Sequence, residues 1–168
     1  TFLAQALQSS CHVIGVPKTI DGDLQMMPHL QVTFGFHSAT QHYSKLVYDL
    51  AIDSLATGKY FHFVKLMGRN ASHVTLEVAH QVHPHACLLS EEVLSNQWGL
   101  VEVVDYFTQI IMQRIQLKKP YGILIFPEGL ADVIPELNAY LNGDDGPLKL
   151  FFKSMGQGIT DFGPIHHD

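Results

Sequence analysis

Two carboxylates one residue apart, beside a lysine and a threonine, stand in the run Gly15-Val16-Pro17-Lys18-Thr19-Ile20-Asp21-Gly22-Asp23. This set suits phosphoryl transfer. One carboxylate can take the proton of an attacking hydroxyl, while a cation and a hydroxyl hold phosphate oxygens. On spacing alone an ordinary Asp-Gly-Asp surface turn with Lys18 in solvent is the readier reading. A second run, Lys65-Leu66-Met67-Gly68-Arg69-Asn70-Ala71-Ser72-His73, offers other tools. Gly68 allows backbone to approach a ligand, Arg69 can grip a phosphate through two donors, and a helix start at Ser72 exposes amides that favour anions. The plain alternatives are a surface salt bridge for Arg69 and a helix cap for Ser72. A third run, Phe126-Pro127-Glu128-Gly129-Leu130, sets a carboxylate where sugar hydroxyls could donate to it, or where it simply meets a helix dipole.

The elements that position these runs follow from periodicity. Short apolar stretches alternate with longer segments of helical spacing, which predicts an α/β fold: a three-layer Rossmann-like parallel sheet flanked by helices. Strands are expected at His12 to Val16, Tyr60 to Met67, Ala86 to Leu89 and Tyr121 to Phe126. Helices are expected at Thr1 to Gln8, Val32 to Thr57, Ser72 to Val82, Leu100 to Leu117 and Leu130 to Leu141. In the second helix Phe36, Ala39, Tyr43, Leu46, Leu50 and Ile52 are the expected buried stripe, and Gly58 the stop. All three runs then fall at strand carboxyl ends, where open sheets bind ligands.

Bulk properties narrow the function. The chain has 168 residues, enough for one domain with its own core. A net charge of −6 with only 10 Lys and Arg excludes a main role in binding nucleic acid. No stretch nears the roughly 20 apolar residues a membrane span needs. Cys11 and Cys87 form no disulfide framework, so a cytoplasmic location is expected. Among 11 histidines, His80, His83 and His85 lie close together but are read as structural or exposed rather than as a metal site. The tail from 142 to 168 is expected to be irregular, and Gly143-Asp144-Asp145-Gly146 in it to be a turn. The start at Thr1 leads to the expectation that this single α/β domain is a piece of a longer chain.

Taken together, Pro17-Lys18-Thr19-Ile20-Asp21-Gly22-Asp23, Met67-Gly68-Arg69 with Ala71-Ser72-His73, and Pro127-Glu128-Gly129 resemble the phosphofructokinase family. Lys18 resembles the branch that uses pyrophosphate, since typical bacterial ATP enzymes commonly carry glycine there. The resemblance implies transfer of a phosphoryl group from pyrophosphate to the 1-hydroxyl of fructose 6-phosphate. It implies Asp21 as the general base, Thr19 on the transferring group, Lys18 on pyrophosphate, and Asp23 supporting Asp21 or the metal. It assigns Met67, Gly68 and Arg69 to fructose 6-phosphate, Arg69 also to transition-state charge, and Glu128 to a sugar hydroxyl. Mg2+ on the pyrophosphate and a homo-oligomer, expected as a dimer, are implied too. An ATP-dependent enzyme and a non-catalytic regulatory subunit are the alternatives. The family's upstream donor loop and its C-terminal sugar-phosphate segments are not recognisable in this chain.

Overall fold

The computed structural model describes residues 18–24 and 33–142. The expected first helix and first strand, and the tail from 143 onward, lie outside the described residues. Helix α1 spans Phe36–Thr57. It leads to strand β1 (Phe61–Leu66), helix α2 (His73–Val82) and the short strand β2 (Ala86–Cys87). Helices α3 (Ser90–Asn96) and α4 (Leu100–Gln116) precede strand β3 (Gly122–Pro127). Helices α5 (Leu130–Val133) and α6 (Pro135–Asn142) close the order.

The sheet is parallel, in the order β1-β3-β2. β3 runs through its middle as Gly-Ile-Leu-Ile-Phe-Pro, and its apolar continuity follows from cover on both faces. Alternation along the strand sends Ile123 and Ile125 to one cluster with Val47, Leu66 and Val78, beneath α1 and α2. It sends Leu124 to another with Val93, Val103, Phe107 and Ile134, beneath α3 to α6. Two helical layers therefore enclose one sheet, as the sequence predicts. No helix among the described residues is long and apolar enough to cross a membrane.

Several expected boundaries are corrected. α1 begins at Phe36, not Val32, because Thr33 to Gly35 form a turn in which Gly35 takes φ 88°. The buried stripe of α1 is also rotated. Thr40, Ser44, Val47 and Ser54 are buried, whereas Leu46 and Ile52 are 47% and 48% exposed. Small hydroxyl residues can line that face because the backbone absorbs them: Thr40 donates to the His37 carbonyl and Ser54 to the Tyr60 carbonyl, each at 3.0 Å. Gly58 ends the helix in the left-handed region, its amide bonded to the Ser54 carbonyl, as expected.

The segment after β2 forms a helix, α3, that periodicity over so few residues did not reveal. Glu92 starts it by accepting from the Leu89 amide at 3.1 Å. The expected helix from Leu130 to Leu141 is two helices, because Ile134 is extended and Pro135 opens a new first turn.

Candidate functional site

The described loops at the carboxyl ends of β1 and β3 are joined backbone to backbone. Glu128 donates its amide to the Leu66 carbonyl at 2.8 Å, and Gly129 donates to the Gly68 carbonyl at 3.1 Å. Neither glycine has room for a side chain. A Cβ on Gly129 would overlap the Arg69 carbonyl oxygen, and one on Gly68 would lie 2.7 Å from the Ala71 carbonyl oxygen while φ stands at 124°. The close approach that Gly68 permits is thus to the chain itself. It locks Met67, Gly68 and Arg69 against Glu128.

Arg69 and Glu128 share an open cavity of about 270 Å³ with two residues the sequence reading did not single out, Lys65 and Asp132. Asp132 accepts from Arg69 Nε at 3.0 Å. Lys65 is legible afterwards as the polar position at the end of an apolar strand. Asp132 had no local signal, because its partner lies far away in sequence. Two cations and two carboxylates around one cavity suit a ligand with both phosphate and hydroxyl groups.

The Lys18 to Leu24 loop lies within electrostatic reach of Glu128. Thr19 Oγ1 accepts from the Asp21 amide at 3.1 Å, and Thr33 Oγ1 accepts from the Gly22 amide at 3.1 Å. His73, at the start of α2, reaches the Gly22 carbonyl through Nδ1 at 2.8 Å. Asp21 Oδ1 is buried and has no hydrogen-bond partner among the described residues. Burial pushes its carboxyl above the ordinary carboxylate range, the charges of Asp23 and Glu128 push it further, and Lys18 offsets part of that rise. A half-buried carboxylate with one oxygen shielded from solvent and with acidic neighbours holds a proton more readily than an ordinary one. The same influence of Glu128 on Asp21 ties the first loop electrostatically to the third.

The start of α2 is used otherwise than the sequence suggested. The Ser72 amide donates to Glu91 Oε1 at 2.9 Å, and the Ser72 hydroxyl accepts from the Ser90 amide at 3.0 Å. Burial alone would raise the Glu91 carboxyl, yet the bonds from Ser72 and the nearby charge of His73 hold it below its ordinary range. A carboxylate of the chain itself occupies this position. Of the clustered histidines, His80 and His83 stack loosely at the end of α2, with ring centroids 6.4 Å apart. His85 instead accepts from the Ile123 amide at 3.0 Å, beside the β2–β3 pairing. Cys87 is half-buried, its thiol pushed up to about 11 by burial and by Glu92.

A parallel sheet flanked by helices, with acidic, basic and glycine positions at its carboxyl end, is the arrangement of a Rossmann-like α/β protein. Within that class the chain belongs to the phosphofructokinase family, whose model matches residues 2–148. It is 48% identical over 125 residues to the castor bean (Ricinus communis) pyrophosphate–fructose 6-phosphate 1-phosphotransferase subunit beta, covering 74% of this chain and 22% of that protein. It is 40% identical over 156 residues to the pyrophosphate–fructose 6-phosphate 1-phosphotransferase of Porphyromonas gingivalis, covering 89% and 28%. It is 46% identical over 132 residues to the enzyme of the same name from Treponema pallidum (strain Nichols), covering 79% and 23%. The chain thus spans 22% to 28% of the length of these relatives.

Proposed function

We propose that the full-length protein transfers a phosphoryl group from pyrophosphate to the 1-hydroxyl of fructose 6-phosphate, giving fructose 1,6-bisphosphate and phosphate. The observation that carries this reading is Asp21: its Oδ1 is buried and unpartnered among the described residues, and its basicity is raised by burial, Asp23 and Glu128. The names of the relatives supply the substrates.

The roles are those the family resemblance implies, and each suits the chemistry of its group. Asp21 takes the proton of the sugar 1-hydroxyl as the new oxygen–phosphorus bond forms and the bridging bond of pyrophosphate breaks, with phosphate leaving. Lys18 and Thr19 hold the donor's oxygens, and Asp23 keeps Asp21 basic. Arg69, steered through Asp132, meets charge on the transferring or sugar phosphate, with Lys65 beside it. Glu128 accepts a sugar hydroxyl, and Met67 and Gly68 line the sugar. Most of the acceleration in such direct transfer comes from positioning and electrostatics.

Magnesium fits these residues in a limited way. Among the described residues no three acidic, histidine or cysteine side chains form a metal cage. Asp23 nevertheless offers a hard oxygen donor of the kind magnesium takes. When bound, the ion neutralises charge on the pyrophosphate oxygens. A cytoplasmic single domain within a longer chain, working as a homodimer, completes the proposal.

The test is turnover of fructose 6-phosphate by the full-length protein with magnesium and either pyrophosphate or ATP, beside an Asp21→Ala variant. Turnover with pyrophosphate that disappears in the variant supports the proposal. Turnover with ATP alone overturns the donor, and full activity in the variant overturns the base.

A further inference from the structure

Among the described residues, the first loop is hydrogen-bonded to α2 through His73. The imidazole Nδ1 lies 2.8 Å from the Gly22 carbonyl oxygen, and since a carbonyl only accepts, Nδ1 carries the proton. Gly22 follows Asp21 directly and sits at φ 75°, a conformation it holds at little cost as glycine. A Cβ there would lie 3.2 Å from the Phe36 ring and 3.3 Å from His73 Nδ1, so the turn is walled by the first residues of α1 and α2. Three bonds to backbone atoms therefore fix the Asp21-Gly22 unit: Thr19 on the Asp21 amide, Thr33 on the Gly22 amide and His73 on the Gly22 carbonyl. Thr19 belongs to the same loop, and Thr33 lies in the turn before α1. Among the described residues, His73 supplies the hydrogen bond that ties the unit to α2, which follows directly on the segment carrying Met67, Gly68 and Arg69.

His73 is itself firmly mounted. The preceding Ser72 is 2% exposed, its amide held by Glu91 and its hydroxyl by the Ser90 amide. The next residues, Val74 and Thr75, are fully buried. An exposed ring on a buried base can transmit position without adding much to stability.

We infer that His73 is a positioning residue for the reaction proposed above, holding the Asp21 carboxylate in register with the sugar-binding loop through the Gly22 carbonyl. It touches no reacting atom. The inference rests on the assignment of Asp21 as base.

The experiment compares full-length wild type with His73→Leu, His73→Asn and Asp21→Asn. It measures kcat and KM for both substrates, equilibrium binding of fructose 6-phosphate, and the thermal midpoint. Asparagine can place an amide nitrogen near the Nδ1 position, whereas leucine keeps bulk and loses the donor. Misplacing a catalytic group by about 1 Å costs on the order of 100-fold. His73→Leu should therefore lose kcat by roughly that factor with KM and sugar-phosphate binding unchanged, and His73→Asn should recover most of the loss. Wild-type kcat in His73→Leu, or equal losses in the leucine and asparagine variants at equal thermal midpoints, would overturn the inference while leaving the proposed function standing. Should His73→Leu fail to fold, His73→Asn still decides: near wild-type kcat supports the inference, and a 100-fold loss overturns it. An active Asp21→Asn, or an inactive wild type, overturns the proposed function and this inference with it.

Discussion

Arg69 donates through Nε to Asp132 at 3.0 Å, joining the loop after β1 to the first turn of α5 across a cavity that Lys65 and Glu128 also line. The Arg69 side chain is 59% exposed and that of Asp132 35%, so solvent screens the pair and its value to stability is at most about 1 kcal/mol. Its value to positioning is larger. Using Nε on Asp132 turns the two terminal nitrogens of the guanidinium toward other partners. Asp132→Ala should leave the urea midpoint nearly unchanged yet lower kcat by about 10- to 100-fold. Equal activity in the variant would reduce the pair to an ordinary surface contact.

For Asp21, loss of the carboxylate in Asp21→Ser should reduce kcat by about 100- to 10,000-fold while substrate affinity stays close to wild type. The pH profile gives a finer check. The base works only when ionised, so the acid limb of kcat/KM should lie above the ordinary carboxylate range. Removing a negative neighbour with Glu128→Gln should shift that limb to lower pH. Removing the compensating cation with Lys18→Met should shift it to higher pH. Both shifts would be read from the profile's midpoint, and shifts in the opposite sense would exclude Asp21 as the group titrating.

The same raised carboxyl affects folding. Between the ordinary value and the raised one, the folded chain binds more protons at Asp21 than the unfolded chain, so stability falls as pH rises through that window. Above it, the unfavourable contribution of the buried charge is complete. Asp21→Asn should therefore unfold at a higher temperature than wild type at neutral pH, and the gap should close in acid. A lower midpoint at neutral pH would mean that the carboxylate gains more from its surroundings than it loses by burial.

Gly129 and Gly68 should tolerate no side chain. Gly129→Ala drives a methyl group into the Arg69 carbonyl, and Gly68→Ala adds a strained φ to a 2.7 Å clash with the Ala71 carbonyl. Each should destabilise by about 1–3 kcal/mol in urea titration. Each should also weaken fructose 6-phosphate binding, because the displaced backbone carries Arg69 and Glu128.

Cys87 should alkylate slowly. With its thiol pushed up to about 11 by burial and the charge of Glu92, very little thiolate exists at neutral pH. Iodoacetamide followed by mass spectrometry of the Cys87 peptide should show slow labelling in buffer and fast labelling in urea. Fast labelling in buffer would mean that the β2 end opens readily.

What the sequence revealed depended on how local each signal was. The apolar runs at Phe61–Leu66 and Gly122–Pro127 were readable as strands, and Gly58 as a helix stop, because each rests on neighbours a few residues away; only β3 is buried on both sides, since Phe63 of β1 is 52% exposed. The seven-residue α3 was too short for periodicity to declare itself, although Glu91 and Glu92 in its first turn were an available clue. Pro135 was an equally visible sign that Leu130 to Leu141 could not be one helix. The buried face of α1 was misread because it is lined by Thr40, Ser44 and Ser54, which look solvent-facing until their hydroxyls find backbone acceptors or packing. At the site, Asp21, Arg69 and Glu128 stood in recognisable runs. Asp132 did not, and neither did the use of the Ser72 amide by Glu91, since both are meetings of distant segments that only the folded sheet brings about.

The strand order has a consequence for how the chain is made. Among the described residues, β1 and β2 pair only with β3, Phe61 with Gly122 and Ala86 with Leu124. A ribosome adding roughly 5–20 residues per second completes β1 and β2 well before the strand that unites them. Throughout that interval the edges that β1 and β2 present to β3 stay open, and the closure of long loops must precede the pairing that rewards it. Those two edges are therefore open to wrong pairing until the run Gly-Ile-Leu-Ile-Phe-Pro leaves the exit tunnel.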